Sequence, residues 1–139
     1  MSTVIEICPS MSEFNNLKDR VTALETKTIK GAATSSTSHA FNANAVVNAY
    51  SLSLEAGLWV ALGWLTISPN SACEIQLMIG TSSTSWTQAD RTDFNNATTG
   101  IYQTMAFFNF NSTTTIYLNM RCTVAGNRSY GGLSALKVK

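Results

Sequence analysis

The sequence predicts a mainly β protein, an antiparallel β-sandwich preceded by one short helix near the N-terminus. From Ala45 onward apolar residues recur with a period of two between short turn segments, as in half-buried strands. Residues 14–28, FNNLKDRVTALETKT, instead carry apolar residues at helical spacing, and the small polar segment 31–40, GAATSSTSHA, follows them. The predicted organisation is an N-terminal segment at 1–10, a helix at 11–30, a linker at 31–44 and a sandwich head at 45–139.

Composition limits the possible function classes. The 139 residues are 45% hydrophobic and only 12% charged, with a net charge of +1, which suits one domain with an appendage. This balance offers no basic patch for nucleic acid. The longest apolar run, Ala56–Ile67, is too short to cross a bilayer as a helix. No basic segment followed by an apolar run opens the sequence, so we expect no secretion signal and assembly in a cytoplasm.

The three cysteines do not suggest a disulfide framework or a zinc site. Cys8, Cys73 and Cys122 are odd in number and widely spaced, which fits a reducing compartment. Cys122 is in phase with the apolar positions of its strand, so we expect a buried thiol there. No cofactor and no metal are predicted.

The helix begins with a capping signal and carries a short heptad seam. Ser10 followed by Glu13 three residues later forms a capping box. The predicted seam and its flanking ion pair comprise Phe14 and Val21 at a, Leu17 and Leu24 at d, Arg20 at g and Glu25 at e. An amphipathic helix folded back on its own domain is the alternative interpretation.

The segment Arg20–Glu25, RVTALE, resembles the R-h-x-x-h-E pattern, with h apolar, of short parallel trimeric coiled coils. The resemblance implies that Arg20 reaches Glu25 of the neighbouring chain while its stem covers the seam. A helix of two to three heptads is marginal alone. We therefore expect the head to contribute to association as well.

The predicted strands follow in order along the head. They are Tyr50–Leu54, Leu58–Ile67, Glu74–Gly80, Ile101–Phe110, Thr115–Val124 and Leu133–Val138. The second is apolar on both faces, so we expect one outer face of the sandwich to be covered. A trimer with sheets packed about a threefold axis would cover it.

Three segments resemble elements of the jelly-roll heads of the TNF-like and complement-globular superfamily: the strand–Ala-Gly–strand segment SLSLEAGLWVALGWLTI, the penultimate strand TIYLNMRCTV and the closing strand YGGLSALKV. A short trimeric stalk carrying such a head is similar to bacteriophage fibre and receptor-binding tip proteins. The resemblance implies a homotrimeric virion protein that is assembled in the host cytoplasm. Residues 1–10 would attach it to other virion proteins, and the head would bind a host-surface glycan or protein.

The long polar segment 81–100, TSSTSWTQADRTDFNNATTG, is the predicted ligand site, because long loops on rigid sandwiches commonly bind ligands. Its candidate receptor-binding residues are Trp86, Asp90, Arg91, Asp93 and Phe94, and a second candidate pair is Arg128 and Tyr130. An exposed Trp and planar polar groups suit a sugar. The alternative is that Trp86 packs inward and the acids pair with Arg91.

No catalytic constellation is evident, so we predict that the protein is not an enzyme. The single histidine, His39, lies in the predicted linker, where nothing would hold it as a general base. Asp90 and Asp93 could form a glycosidase pair or bind a cation, but two carboxylates in a polar loop are common. The leading prediction is therefore a non-enzymatic trimeric phage fibre. The alternatives are a purely structural capsid-decorating fibre and a secreted trimeric signalling ligand.

Overall fold

A computed structural model describes residues 10–25, 29–31, 37–84 and 91–139, and the side chains of 23–25 and 29–31 are not described. The helix α1 spans Met11–Glu25. Ser10 caps it as predicted: its Oγ accepts a hydrogen bond from the Glu13 N–H at 3.3 Å, and its own N–H donates to Glu13 Oε2 at 3.1 Å. The capping box of the sequence is therefore confirmed.

The rest of the described chain forms two antiparallel sheets, consistent with a β-sandwich. In chain order the strands are β1 Ile29–Gly31, β2 His39–Phe41, β3 Val46–Leu54, β4 Gly57–Pro69, β5 Cys73–Gly80, β6 Arg91–Ala97, β7 Gly100–Phe110, β8 Thr114–Cys122 and β9 Gly126–Lys137. Sheet A has the order β1-β9-β4-β7, with β2 also paired to β9, and sheet B has the order β3-β8-β5-β6. All the pairings are antiparallel.

The core lies between the two sheets and is made by alternate residues of the longer strands. Trp59, Leu65, Leu77, Ile116 and Leu118 are fully buried, as the period-two pattern predicts. The indole N–H of Trp59 donates to the Glu55 carbonyl at 3.0 Å, so the largest core side chain is also satisfied.

Several parts of the chain differ from the predicted pattern. Ile29 and Lys30, predicted as the end of the helix, belong to β1, and β9 begins at Gly126, before the predicted start at Leu133. The segment predicted as a linker, 31–44, contains β2, which pairs with the first half of β9. The polar segment 81–100 contains β6, which pairs with β5 at the edge of sheet B. β2 is short and its partner β9 is distant in sequence, and β6 is a polar edge strand, so local apolar alternation reveals neither of them.

The strand pairing defines two ends of the sandwich. The end at which the chain enters the sheets through β1 is called the entry end. There Ile29 of β1 lies opposite Leu136, near the end of β9. The turn joining β3 to β4 and the connection leaving β5 at Gly80 lie at this same end. At the far end are the turns that join β2 to β3, β4 to β5, β6 to β7, and β8 to β9.

Candidate functional site

The outer face of sheet A is apolar and exposed. In the register, Leu136, Val60 and Phe107 form one row across β9, β4 and β7, and Leu62 lies beside Met105 in the next. Leu62, Met105 and Phe107 are 42%, 54% and 64% exposed. None of the side chains that β4 and β7 direct to this face is charged. Such a contiguous apolar face is typical of a protein–protein interface.

The helix presents a second apolar surface. Phe14, Leu17 and Val21 share one face through their three- and four-residue spacing, and they are 53%, 55% and 43% exposed. They are therefore not packed into the core of the head, which disfavours the alternative of a helix folded back on its own domain. The side chains of Leu24 and Glu25 lie outside the described part, and Arg20 is exposed beside the seam.

The outer face of sheet B is polar, in contrast to that of sheet A. One row of this face runs across the four strands through Val46, Arg121, Gln76 and Asp93. The Arg121 guanidinium donates to the Gln76 side-chain oxygen at 3.4 Å and to two oxygens of Asn44, each at 3.3 Å. Hydrogen bonds therefore hold the planar polar groups of this face in fixed positions.

Asn119 fixes the start of the long β5–β6 connection. It is fully buried although it lies on the outward side of β8, opposite Met78 of β5. Its amide nitrogen donates to the Ser82 carbonyl at 2.8 Å, and its oxygen accepts from the Asn48 side chain at 3.1 Å. Because Ser82 follows the end of β5 and bonds to an outward-facing residue of β8, the connection begins over the outer face of sheet B. Sequence reasoning missed Asn119, which only its burial identifies.

The structure divides the predicted receptor-binding residues between distant places. Arg91 and Asp93 lie on the outer face of sheet B and form a two-point ion pair, with Nε–Oδ1 at 2.7 Å and Nη2–Oδ2 at 2.9 Å. This is the pairing that the alternative interpretation expected for Arg91. Phe94 points to the core side and packs edge-to-face on Tyr102, with ring centroids 4.9 Å apart.

Arg128 and Tyr130 are not brought together with the β6 residues. Both lie on β9 in sheet A, and Arg128 pairs with His39 and Ile67 at the far end of the sandwich. Arg91 begins β6 at the entry end, opposite Met78. Trp86 and Asp90 lie outside the described residues.

Two cysteines that are 49 positions apart in the sequence lie next to each other in the structure. The Sγ atoms of Cys73 on β5 and Cys122 on β8 are 2.9 Å apart, and both residues are buried. Burial, together with the hydrogen bond to the neighbouring thiol, raises the pKa of Cys73 to about 12. The expected burial of Cys122 is confirmed, but its proximity to Cys73 was not predicted.

Within the described ranges, no three His, Cys, Asp or Glu side chains are grouped so that they could hold a metal ion. The one helix in this part of the chain is neither long nor apolar enough to cross a membrane. The sequence matches no protein-family model, and it matches no curated protein at a significant level.

Proposed function

We propose that the protein is a homotrimeric bacteriophage virion fibre whose head adsorbs to a host-cell surface receptor, a glycan or a protein. The observation that carries this proposal is the presence of two unpaired apolar surfaces on one chain. They are the seam of Phe14, Leu17 and Val21 and the outer face of sheet A around Phe107. Each surface is of the kind that copies of one chain bury against each other.

The strand order supports a jelly-roll head of the TNF-like type. Reading along the chain from β2, strands alternate between sheets A and B, except that β5 and β6 are consecutive neighbours in sheet B. With β2 taken as the neighbour of β9, the orders β2-β9-β4-β7 and β3-β8-β5-β6 are compatible with an eight-stranded jelly roll. This arrangement agrees with the resemblance of the strand sequences.

The two apolar surfaces have complementary tasks in the proposed trimer. A coiled coil of about two heptads is too short to be stable alone, so the sheet face contributes most of the association energy. The helix sets the chain number and parallel register, and Arg20 pairs with Glu25 of the next chain. Residues 1–10 attach the fibre to other virion proteins in the host cytoplasm.

The polar outer face of sheet B is the proposed receptor surface, because association through sheet A leaves it facing outward. It carries Arg91, Asp93 and Arg121, and the β5–β6 connection begins over it at Ser82. Planar polar groups held by hydrogen bonds suit the hydroxyl groups of a sugar. Three such surfaces on one trimer would strengthen a weak interaction by avidity.

Association is tested by measuring the mass of the full chain by light scattering over a range of concentrations. We expect a trimer, a weaker trimer for Leu17→Asp, and no change for Asn16→Asp, which adds the same charge outside the seam. A wild-type chain that remains monomeric at all concentrations would overturn the proposal.

Receptor binding is tested with the labelled trimer on host cells and on a glycan array. Arg91→Ala and Trp86→Ala should reduce binding at least tenfold with the trimer intact. Arg128→Ala, at the opposite end of the sandwich, should not. A trimer that binds no surface ligand would support the purely structural capsid-decorating fibre instead.

A further inference from the structure

We propose that Cys73 and Cys122 form the reduced state of a cross-strand disulfide, which closes in oxidising surroundings and ties β5 to β8. This disulfide would form whether or not the protein is a fibre, because it depends only on the positions of the Cys73 and Cys122 side chains. Their Sγ atoms are 2.9 Å apart, closer than two unbonded sulfur atoms usually pack, and they need to approach by less than 1 Å to reach a disulfide length of about 2.05 Å.

The thiols are brought together by sheet register and not by sequence spacing. Ile75 of β5 lies opposite Cys122 of β8, so Cys73 is the diagonal neighbour two residues earlier on the same face. The Thr123 N–H donates to the Glu74 carbonyl at 3.1 Å, which continues the pairing beside the two thiols. The backbone around the pair is therefore held in place on both strands.

The site is at the far end of the sandwich, and its closure would join two strand ends that are 49 positions apart in the chain. Cys73 begins β5 just after the β4–β5 turn, and Cys122 ends β8 just before the β8–β9 turn. The disulfide would close a loop that contains β6, β7 and the long β5–β6 connection. Closing a long loop restricts the unfolded chain, which stabilises the folded one.

The chemical step is thiol–disulfide exchange with a small-molecule disulfide such as oxidised glutathione. One protein thiolate attacks the reagent, forms a mixed disulfide and releases one small thiol. The second protein thiolate then attacks the protein sulfur of that mixed disulfide and releases the second small thiol. Two electrons pass to the reagent, and the two thiol protons are taken up by the released small thiols.

Burial decides when this step occurs. Cys73 and Cys122 are only 7% and 1% exposed. The raised pKa of Cys73 keeps its thiol protonated at neutral pH. We therefore expect exchange to be slow in the folded protein and fast while the chain folds. Once formed, the buried disulfide would resist reducing agents for the same reason.

The experiment uses the full chain with Cys8→Ser, so that only the two strand cysteines can react. The protein is unfolded, refolded in a mixture of oxidised and reduced glutathione, and unfolded again with excess iodoacetamide. Its mass is then measured by mass spectrometry before and after proteolytic digestion. We expect no alkylated cysteine and one cross-linked Cys73–Cys122 peptide. The melting temperature should be roughly 10 °C above that of protein refolded with reducing agent.

A matched control and two outcomes make the test decisive. The Cys73→Ala/Cys122→Ala variant should show no difference in melting temperature between the two refolding conditions. Two alkylated cysteines after oxidative refolding, or stable glutathione adducts on either cysteine, would overturn the proposal. The mass measurement on the chain with both cysteines decides the question even if the Ala variant does not fold.

Discussion

Replacing Phe107 by Ser should weaken self-association without weakening the fold. Phe107 is 64% exposed, and an aromatic side chain of roughly 200 Å² therefore leaves about 130 Å² open to solvent. At about 25 cal/mol per Å², burying this area in an interface contributes about 3 kcal/mol per copy. Three copies contribute about 9 kcal/mol to a trimer.

Loss of this energy should shift the protein concentration at which half of the chains are assembled into trimers. The half-assembly concentration of a trimer varies as the square root of its dissociation constant. A loss of about 9 kcal/mol therefore raises it by roughly three orders of magnitude. Sedimentation equilibrium over several decades of protein concentration measures the shift. Thermal unfolding of each variant checks that the head still folds.

Tyr117→Ser is the matched control, since Tyr117 is an aromatic residue on the outer face of sheet B. We expect it to leave the half-assembly concentration unchanged. Equal effects of Phe107→Ser and Tyr117→Ser, or no effect of either, would refute the assignment of the sheet A face as the interface.

Three further predictions concern stability. Gly63→Ala places a methyl group 2.6 Å from Leu118 Cδ1 in the core, so chemical unfolding should show a free energy of unfolding that is lower by about 1–3 kcal/mol. Gly80→Ala is the control and should change it little, because its new methyl group has no neighbour closer than 3.6 Å. Asn119→Ala removes the hydrogen bonds that fix the β5–β6 connection, so hydrogen exchange should accelerate at residues 81–84 and stay unchanged in β4; equal acceleration throughout would contradict a local role. The folded state holds the Cys73 proton more tightly than the unfolded state does, because burial and the neighbouring thiol raise its pKa. In reduced protein this stabilisation should be complete below pH 9, the ordinary pKa of the thiol, and should be lost as the pH rises above it, a loss that Cys73→Ser should lack.

The long apolar strands could be predicted from sequence because their side chains alternate against a core. The predicted strands Leu58–Ile67 and Ile101–Phe110 fall within β4 and β7. The apolar character of both faces of β4 was also informative, because its outward side chains form the exposed face of sheet A. In these strands local pattern and tertiary environment agree.

The polar features could not be predicted, because they depend on pairing between strands and not on local apolar alternation. Arg91–Ala97 is polar along most of its length, and it is a strand only because β5 pairs with it. The first half of β9 looks like a turn, but it lies between β2 and β4. The contact between Cys73 and Cys122 has no local signal in the sequence, since it requires the register of β5 and β8.

The positions of the apolar surfaces make the proposed assembly geometrically consistent. β1 and β2 both pair with β9, so the chain joins the head at the edge of sheet A and not of sheet B. If sheet A faces a threefold axis, the stalk segment is delivered to the same side as that axis, and the three helices can meet. The long β5–β6 connection begins at the entry end over sheet B. A receptor held there would contact the outer flank of the head beside the stalk, and the far-end turns would remain free.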